Sequence, residues 1–347
     1  TTPPNDLERA MDLLREFRHA QTLQIAAADS AGLLSFESVS ATLSALAEAT
    51  LEESMSVARQ SLGGKIDLDS VDLGIVAYGK LGSQELGYNS DLDIVFLYQS
   101  DATHSPENDT TPYHCGRVIQ RLIHILTTRT AAGNLYQTDL QLRPSGRAGT
   151  VVSSLSAFES YQMAHAWTWE HQALVRARVV AGSEALADKF DELRGSILRR
   201  ERDPQALRDD VVSMRHKMRD HLGTKGEGAK SERGDGENAS TDATFSLKHD
   251  AGGMVDIEFL CQYAVLALSH QTPALITYSD NIRILETLAE SGHITQVEAE
   301  QLREAYLAYR SRTHRAALTG EKALGQVKEF AEHRQIVTAL WQRFLEP

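Results

Sequence analysis

Asp91-Leu92-Asp93 sets two carboxylates two residues apart at the head of an apolar run, Ile94-Val95-Phe96-Leu97. On a strand, positions i and i+2 face the same way, so both acids share one side of a segment that is otherwise buried. Carboxylates this close repel and raise each other's pKa unless cations neutralise them. Hard divalent ions take oxygen ligands, and magnesium in particular uses one or two carboxylates together with substrate phosphates. Asp139 lies in an alternating stretch, residues 135–142, that places Gln137, Asp139 and Gln141 on one face and can supply a third carboxylate from a second strand. Two acids on one strand and one on another suit phosphoryl transfer with two metal ions roughly 3.5–4 Å apart. Asp91, Asp93 and Asp139 are therefore candidate catalytic residues and ligands for two Mg2+ ions; a D-x-D alone also occurs on solvated strand ends, and the glycine-rich turn upstream is what favours the chemical reading.

A phosphate cradle is expected just upstream. The β-rich run at residues 73–78 ends in Gly79-Lys80-Leu81-Gly82-Ser83, a turn whose backbone N–H groups can wrap a triphosphate. Lys80 and Ser90 can add side-chain contacts. Gly79, directly after the strand, and Gly82, within Leu81-Gly82-Ser83, are both candidates for the phosphate turn. The P-loop pattern G-x-x-x-x-G-K-[ST] is absent, as is a G-x-G-x-x-G opening a helix, which disfavours kinases of those classes. Arg143, four residues past Asp139, shares its face if the strand runs on. A guanidinium there can hold phosphate bidentately, the alternative being a salt bridge that anchors the strand.

Other residues carry weaker signals. Trp167 and Trp169 read first as core aromatics and second as adenine-stacking groups. Glu170, Arg176 and Arg178 read as a structural pairing network beside the site. His165 and His171 lack a third nearby His or Cys and do not make a metal site. Asp256 and Glu258, near a helix start, suit capping or a salt bridge.

The elements that must position these groups follow from periodicity. Leu7, Met11, Leu14 and Phe17 mark one helix; Gly32 interrupts it, and Ser38 can cap a second that Gly63-Gly64 stops. Strands are expected at 73–78, 92–98 and 135–142, an exposed loop at 99–112, and a helix at 113–132 with Gly133 as its cap. A helix is expected across 158–178. Further stripes start at Leu186, after Asp203-Pro204, after Gly252-Gly253 and at Ile282, and Thr295 with Glu298 forms a capping box. Residues 223–244, rich in glycine and charge, read as a flexible loop. The reading is α+β, with an amino-terminal helical segment at 1–62, a catalytic domain at 63–182 and a helical domain at 183–347.

With 347 residues and 41% of them hydrophobic, the chain can bury cores in more than one domain, which excludes wholesale disorder. Its formal net charge of −13 argues against nucleic acid held by broad phosphate neutralisation. No apolar run approaches the roughly 18–20 residues of a membrane span. Two distant cysteines and no visible signal peptide favour a reducing, cytoplasmic compartment.

The stretch YGKLGSQELGYNSDLDIVFLY resembles the signature of polymerase-β-like nucleotidyltransferases, and more narrowly the glutamine synthetase adenylyltransferase family. Four further segments agree and occur in order: DLQLRPSGRAG from Asp139, AWTWEHQALVRAR from Ala166, MRHKMRDHL from Met214 and KHDAGGMVDIEF from Lys248. The resemblance implies a polymerase-β-like catalytic domain followed by a helical bundle. It implies transfer of AMP from ATP to a tyrosine of glutamine synthetase, in the carboxy-terminal, adenylylating half of a two-headed enzyme. Gly87-Tyr88, Ser145 and Trp167 to His171 resemble that half rather than the one that removes AMP. It implies Asp91 and Asp93 on both metals, Asp139 on the nucleophile-side metal and as a candidate general base, and a PII-type signal protein and glutamine as regulators. The alternatives are a nucleotidyltransferase of the same fold with another acceptor, and a regulatory module that holds nucleotide without turnover.

Overall fold

The computed structural model describes residues 6–63, 71–100, 110–224 and 243–346. The chain divides into two compact units, Thr1–Ile197 and Leu198–Pro347.

The first unit opens with two long helices, α1 (Leu7–Ser30) and α2 (Phe36–Leu62). Ser35 rather than Ser38 caps α2, its hydroxyl accepting from the Ser38 N–H at 3.2 Å. Gly63 ends α2 in the left-handed region, at φ 59°. Then follow β1 (Val71–Ala77), a single helical turn α3 (Gly79–Gly82), β2 (Leu92–Ser100), α4 (Thr111–Thr127), β3 (Thr138–Asp139), β4 (Val152–Ser154), α5 (Leu155–Ala164), α6 (Thr168–Val175), β5 (Arg178–Ala181) and α7 (Glu184–Leu198). The sheet runs β3-β2-β1-β5, with β4 also on β2. β1 is antiparallel to β2 and β5, while β3 and β4 run parallel to β2.

Both faces of the two central strands are buried, which is why they read as continuous apolar runs. Leu73 and Ile75 of β1 and Leu92, Ile94 and Phe96 of β2 join one core with Leu43 and Leu51 of α2 and Val118 and Leu122 of α4. Gly74 faces the other way. A Cβ there would lie 2.3 Å from Leu186 Cδ2 of α7, so the missing side chain admits that helix. Asp93 shares this second parity.

Three expected elements differ. The 135–142 strand is only β3, because the Gln141 N–H turns back to donate to Asp139 Oδ1 at 2.8 Å and takes the chain out of the ladder. The expected 113–132 helix stops at Thr127, where buried Arg15 of α1 binds the carbonyls of Ile125 and Thr128 and so satisfies a helix end without Gly133. The 158–178 helix is α5, a corner, α6 and the start of β5. Its break lies at Trp167, whose N–H donates to the Glu170 carboxylate at 2.9 Å.

The second unit contains α8 (Pro204–Leu222), β6 (Thr244–Ser246), α9 (Met254–Leu268), α10 (Asn281–Glu290), α11 (Gln296–Thr319), β7 (Leu324–Gln326) and α12 (Ala331–Leu345). α9 is apolar on nearly every side and is the central helix, packed by the other four. The Thr295–Glu298 capping box opens α11, with reciprocal bonds of 3.2 and 2.8 Å. β6 and β7 pair antiparallel. Most of the expected 223–244 loop lies outside the described residues, as do 101–109 of the expected 99–112 loop. Among the described residues no helix is long and apolar enough to cross a membrane.

Candidate active site

The parallel pairing of β2 and β3 brings Asp93 and Asp139 into register as direct neighbours. Leu92 N–H donates across the pair to Gln137 O at 2.9 Å, and the Gln141 bond to the Asp139 carboxylate shapes the turn that ends β3. Asp91 precedes β2 and is exposed. Burial pushes the Asp93 carboxyl up to about 6, and the charges of Asp139 and Asp91 push the same way, while Arg176 and Lys80 oppose them. The site thus holds more negative charge than its own cations relieve, and its oxygen donors suit a hard divalent ion. Among the described residues, no group of three or more acid, imidazole or thiol side chains is arranged to hold a metal, so Asp91, Asp93 and Asp139 do not form a ready three-ligand set.

The two glycine turns have different surroundings. Gly79 sits at φ +54°, and a Cβ on it would lie 2.5 Å from Asp93 Oδ2. Only glycine fits there on both counts. A Cβ on Gly82 would instead meet backbone, 1.9 Å from Arg176 O and 2.6 Å from Ala77 O. Gly79 therefore adjoins the carboxylates, and Gly82 lets α3 seat on the sheet. Lys80 Nζ donates to Ser90 Oγ at 3.5 Å, and Ser90 Oγ accepts the Gly87 N–H at 3.0 Å, which closes the loop before Asp91.

A buried ion pair underlies this turn. Arg176 donates to Glu85 Oε2 at 2.5 Å and to Ser83 Oγ at 2.7 Å, and Ser83 Oγ lies 2.8 Å from Gly79 O. Arg178 pairs with Glu48 and donates to Gly82 O at 3.1 Å. Ser83, part of the expected phosphate turn, serves here as a link in a buried network, and Glu85 and Glu48 join it with no motif to mark them. The available signal was Glu85 beside Leu86 within an otherwise turn-forming stretch. Glu170 does not join this pair; it accepts from Tyr161 Oη at 2.9 Å and from the Trp167 N–H.

Arg143 is not on a strand face, because β3 ends at Asp139. Its guanidinium donates to Leu140 O at 2.8 Å, Arg147 O at 3.3 Å and Gly149 O at 3.4 Å, and so braces the turn that follows Asp139. Trp167 and Trp169 are not core: they are 70% and 37% exposed, whereas Trp341 of α12 is 4% exposed. Asp256 pairs with Arg215 in the interior of the second unit.

The family model for glutamate-ammonia ligase adenylyltransferase matches residues 1–193, and that for PII-uridylyltransferase matches residues 213–340. Proteins named bifunctional glutamine synthetase adenylyltransferase/adenylyl-removing enzyme are similar along nearly the whole chain. Those of Pseudomonas syringae pv. tomato and Pseudomonas aeruginosa are each 46% identical over 98% of this chain and 35% of their own length. That of Acinetobacter baylyi is 40% identical over 99% of this chain and 37% of its own. The chain thus spans about a third of the length of these curated relatives.

Proposed function

Because the chain belongs to the glutamate-ammonia ligase adenylyltransferase family, we propose that it transfers AMP from ATP to a tyrosine of glutamine synthetase, releasing pyrophosphate. The observation that carries this reading is the in-register pair Asp93 and Asp139, with the Gly79 turn against Asp93. In the reaction, the acceptor tyrosine oxygen attacks the α-phosphorus as the bond to pyrophosphate breaks. Free tyrosine has a pKa of about 10, so its proton must be drawn off, and Asp139 is the carboxylate assigned to accept it. Asp91, Asp93 and Asp139 would hold Mg2+, which when bound supplies charge neutralisation at phosphate and acidifies the nucleophile. Backbone N–H groups at Gly79, with Lys80 and Ser90, would cradle the triphosphate, while Gly82 acts through the seating of α3. Arg143 orders the Asp139 turn and can contact phosphate only by releasing carbonyls. A PII-type signal protein is proposed as a regulator acting through the second unit, on its match to the uridylyltransferase model. Glutamine as a further regulator and a cytoplasmic setting belong to the same reading.

The test offers α-labelled ATP, magnesium and glutamine synthetase, and a forward signal on the synthetase is expected. Adenylylated synthetase with phosphate and magnesium should give little ADP, since Gly87-Tyr88, Ser145 and Trp167 to His171 resemble the transferase half. Rapid ADP release without forward incorporation would assign the chain to the removing half. Gly79→Ala is expected to slow transfer about 10^2-fold, because a displacement near 1 Å at Asp93 suffices. It should also cost about 1–2 kcal/mol from left-handed backbone. Incorporation at the wild-type rate would remove Gly79 from the site.

A further inference from the structure

α1 lies outside the sheet, yet three of its side chains hold the segments that lead into the carboxylates. Fully buried Arg15 donates to Ile125 O at 2.7 Å, Thr128 O at 2.5 Å and Gly133 O at 2.9 Å, along the path from α4 toward β3. The Arg18 guanidinium stands 4.3 Å over the ring of Tyr136, just before Asp139. Toward the other end of α1, Asp29 accepts from Tyr88 Oη at 3.0 Å, and Tyr88 lies just before Asp91. Arg18 and Asp29 are about 16 Å apart along the helix axis. One rigid element therefore grips both approaches to the site.

Asp29 also breaks a local rule. It sits in the last turn of α1, where the carbonyl end of the helix disfavours an acid, and no basic residue is there to offset it. A locally unfavourable residue that makes a tertiary bond points to a role in that bond. Alternation along β2 places Asp93 on the face away from the core that α1 shares, so the helix acts from behind the site.

We propose that α1 is a strut setting the separation of the two carboxylate-bearing segments, with Asp29 and Tyr88 as positioning residues of the transfer reaction. This rests on Asp91, Asp93 and Asp139 being the reacting centre. Neither Asp29 nor Tyr88 touches nucleotide or metal in this assignment. They act by fixing the loop that delivers Asp91.

The test uses the whole chain with Tyr88→Phe, Asp29→Ala and the double variant. Three quantities are measured: the Mn2+ dissociation constant by electron paramagnetic resonance, kcat and KM for ATP in label incorporation, and the melting temperature. Each single variant should weaken manganese binding several-fold and lower kcat about 10-fold, with KM for ATP within about twofold. The melting temperature should stay within about 3 °C, and the double variant should be no worse than the stronger single. A bond that only stabilises the fold would lower the melting temperature and leave manganese affinity and kcat unmoved, and that result overturns the proposal. So do two single effects that simply multiply in the double variant. A wild-type chain that binds manganese but moves no label fails the proposed function alone, and the manganese comparison still decides this inference. A wild-type chain that binds no manganese overturns both.

Discussion

Asp93→Asn is expected to lower AMP incorporation into glutamine synthetase about 10^3-fold, roughly 4 kcal/mol of barrier, while the first unit stays folded. Asparagine keeps the shape beside Gly79 and Asp139 and removes the charge that holds a cation. The same change should stabilise the metal-free chain at neutral pH. Burial, then Asp139 and Asp91, raise the Asp93 carboxyl from 3.8 to about 6. A raised acid contributes stability that is full below its unfolded pKa and is lost as pH climbs through the folded one. Metal-free wild type should therefore lose on the order of 3 kcal/mol from this group between about pH 4 and pH 8, and the variant should not. Magnesium at pH 8 should raise the melting temperature of the wild type and leave that of Asp93→Asn nearly unchanged. Near-wild-type incorporation, or a variant that melts lower than wild type at pH 8, would show Asp93 to be a structural residue.

For stability, the largest loss is expected from Asp256→Ala in the second unit. Arg215 is fully buried, and its Nε meets Asp256 Oδ1 at 2.5 Å; Asp256 Oδ2 accepts the Gly252 N–H at 2.7 Å. Arg215 also donates to His249 O at 2.8 Å, so one pair ties α8 to the turn before α9. Without its carboxylate the guanidinium is an uncompensated interior charge, which costs about 3–5 kcal/mol. That is a large share of the roughly 5–15 kcal/mol of a typical domain. The double change Arg215→Met with Asp256→Leu should recover much of the loss, because it removes both charges and keeps the volume. Chemical denaturation of the three variants measures this, and a double change as damaging as the single would mean packing, not charge, sets the cost.

The parts of the fold legible in sequence are those governed by local pattern. The apolar runs of β1 and β2, the stripe of α7, the proline that opens α8 and the Thr295 box announce themselves without tertiary help. Strand parity places Asp93 on the face away from the core, but Asp91 stands just before β2, where the alternation read from the sequence no longer applies. What sequence does not carry is pairing. β3 is two residues long because Gln141 bends back to Asp139, and no periodicity marks that length. β6 and β7 exist only through each other, and α12 was not anticipated either. The corner between α5 and α6 depends on Glu170 taking the Trp167 N–H, so an apparently continuous helical stretch divides. The ion pair under α3 joins Glu85 to Arg176 across most of a domain's sequence, a distance no motif spans.

The placement of the three tryptophans gives each unit its own optical signature. Trp167 is largely exposed and Trp169 partly so in the first unit, and Trp341 is enclosed in the second. Indole emission shifts to the red on exposure, so unfolding of the second unit should move the spectrum through Trp341 while the other two barely respond. Trp341→Phe would leave fluorescence that reports the α5–α6 corner alone. Intrinsic emission, without any added dye, can thus follow one unit melting beside the other and watch whether an acceptor protein covers the exposed pair.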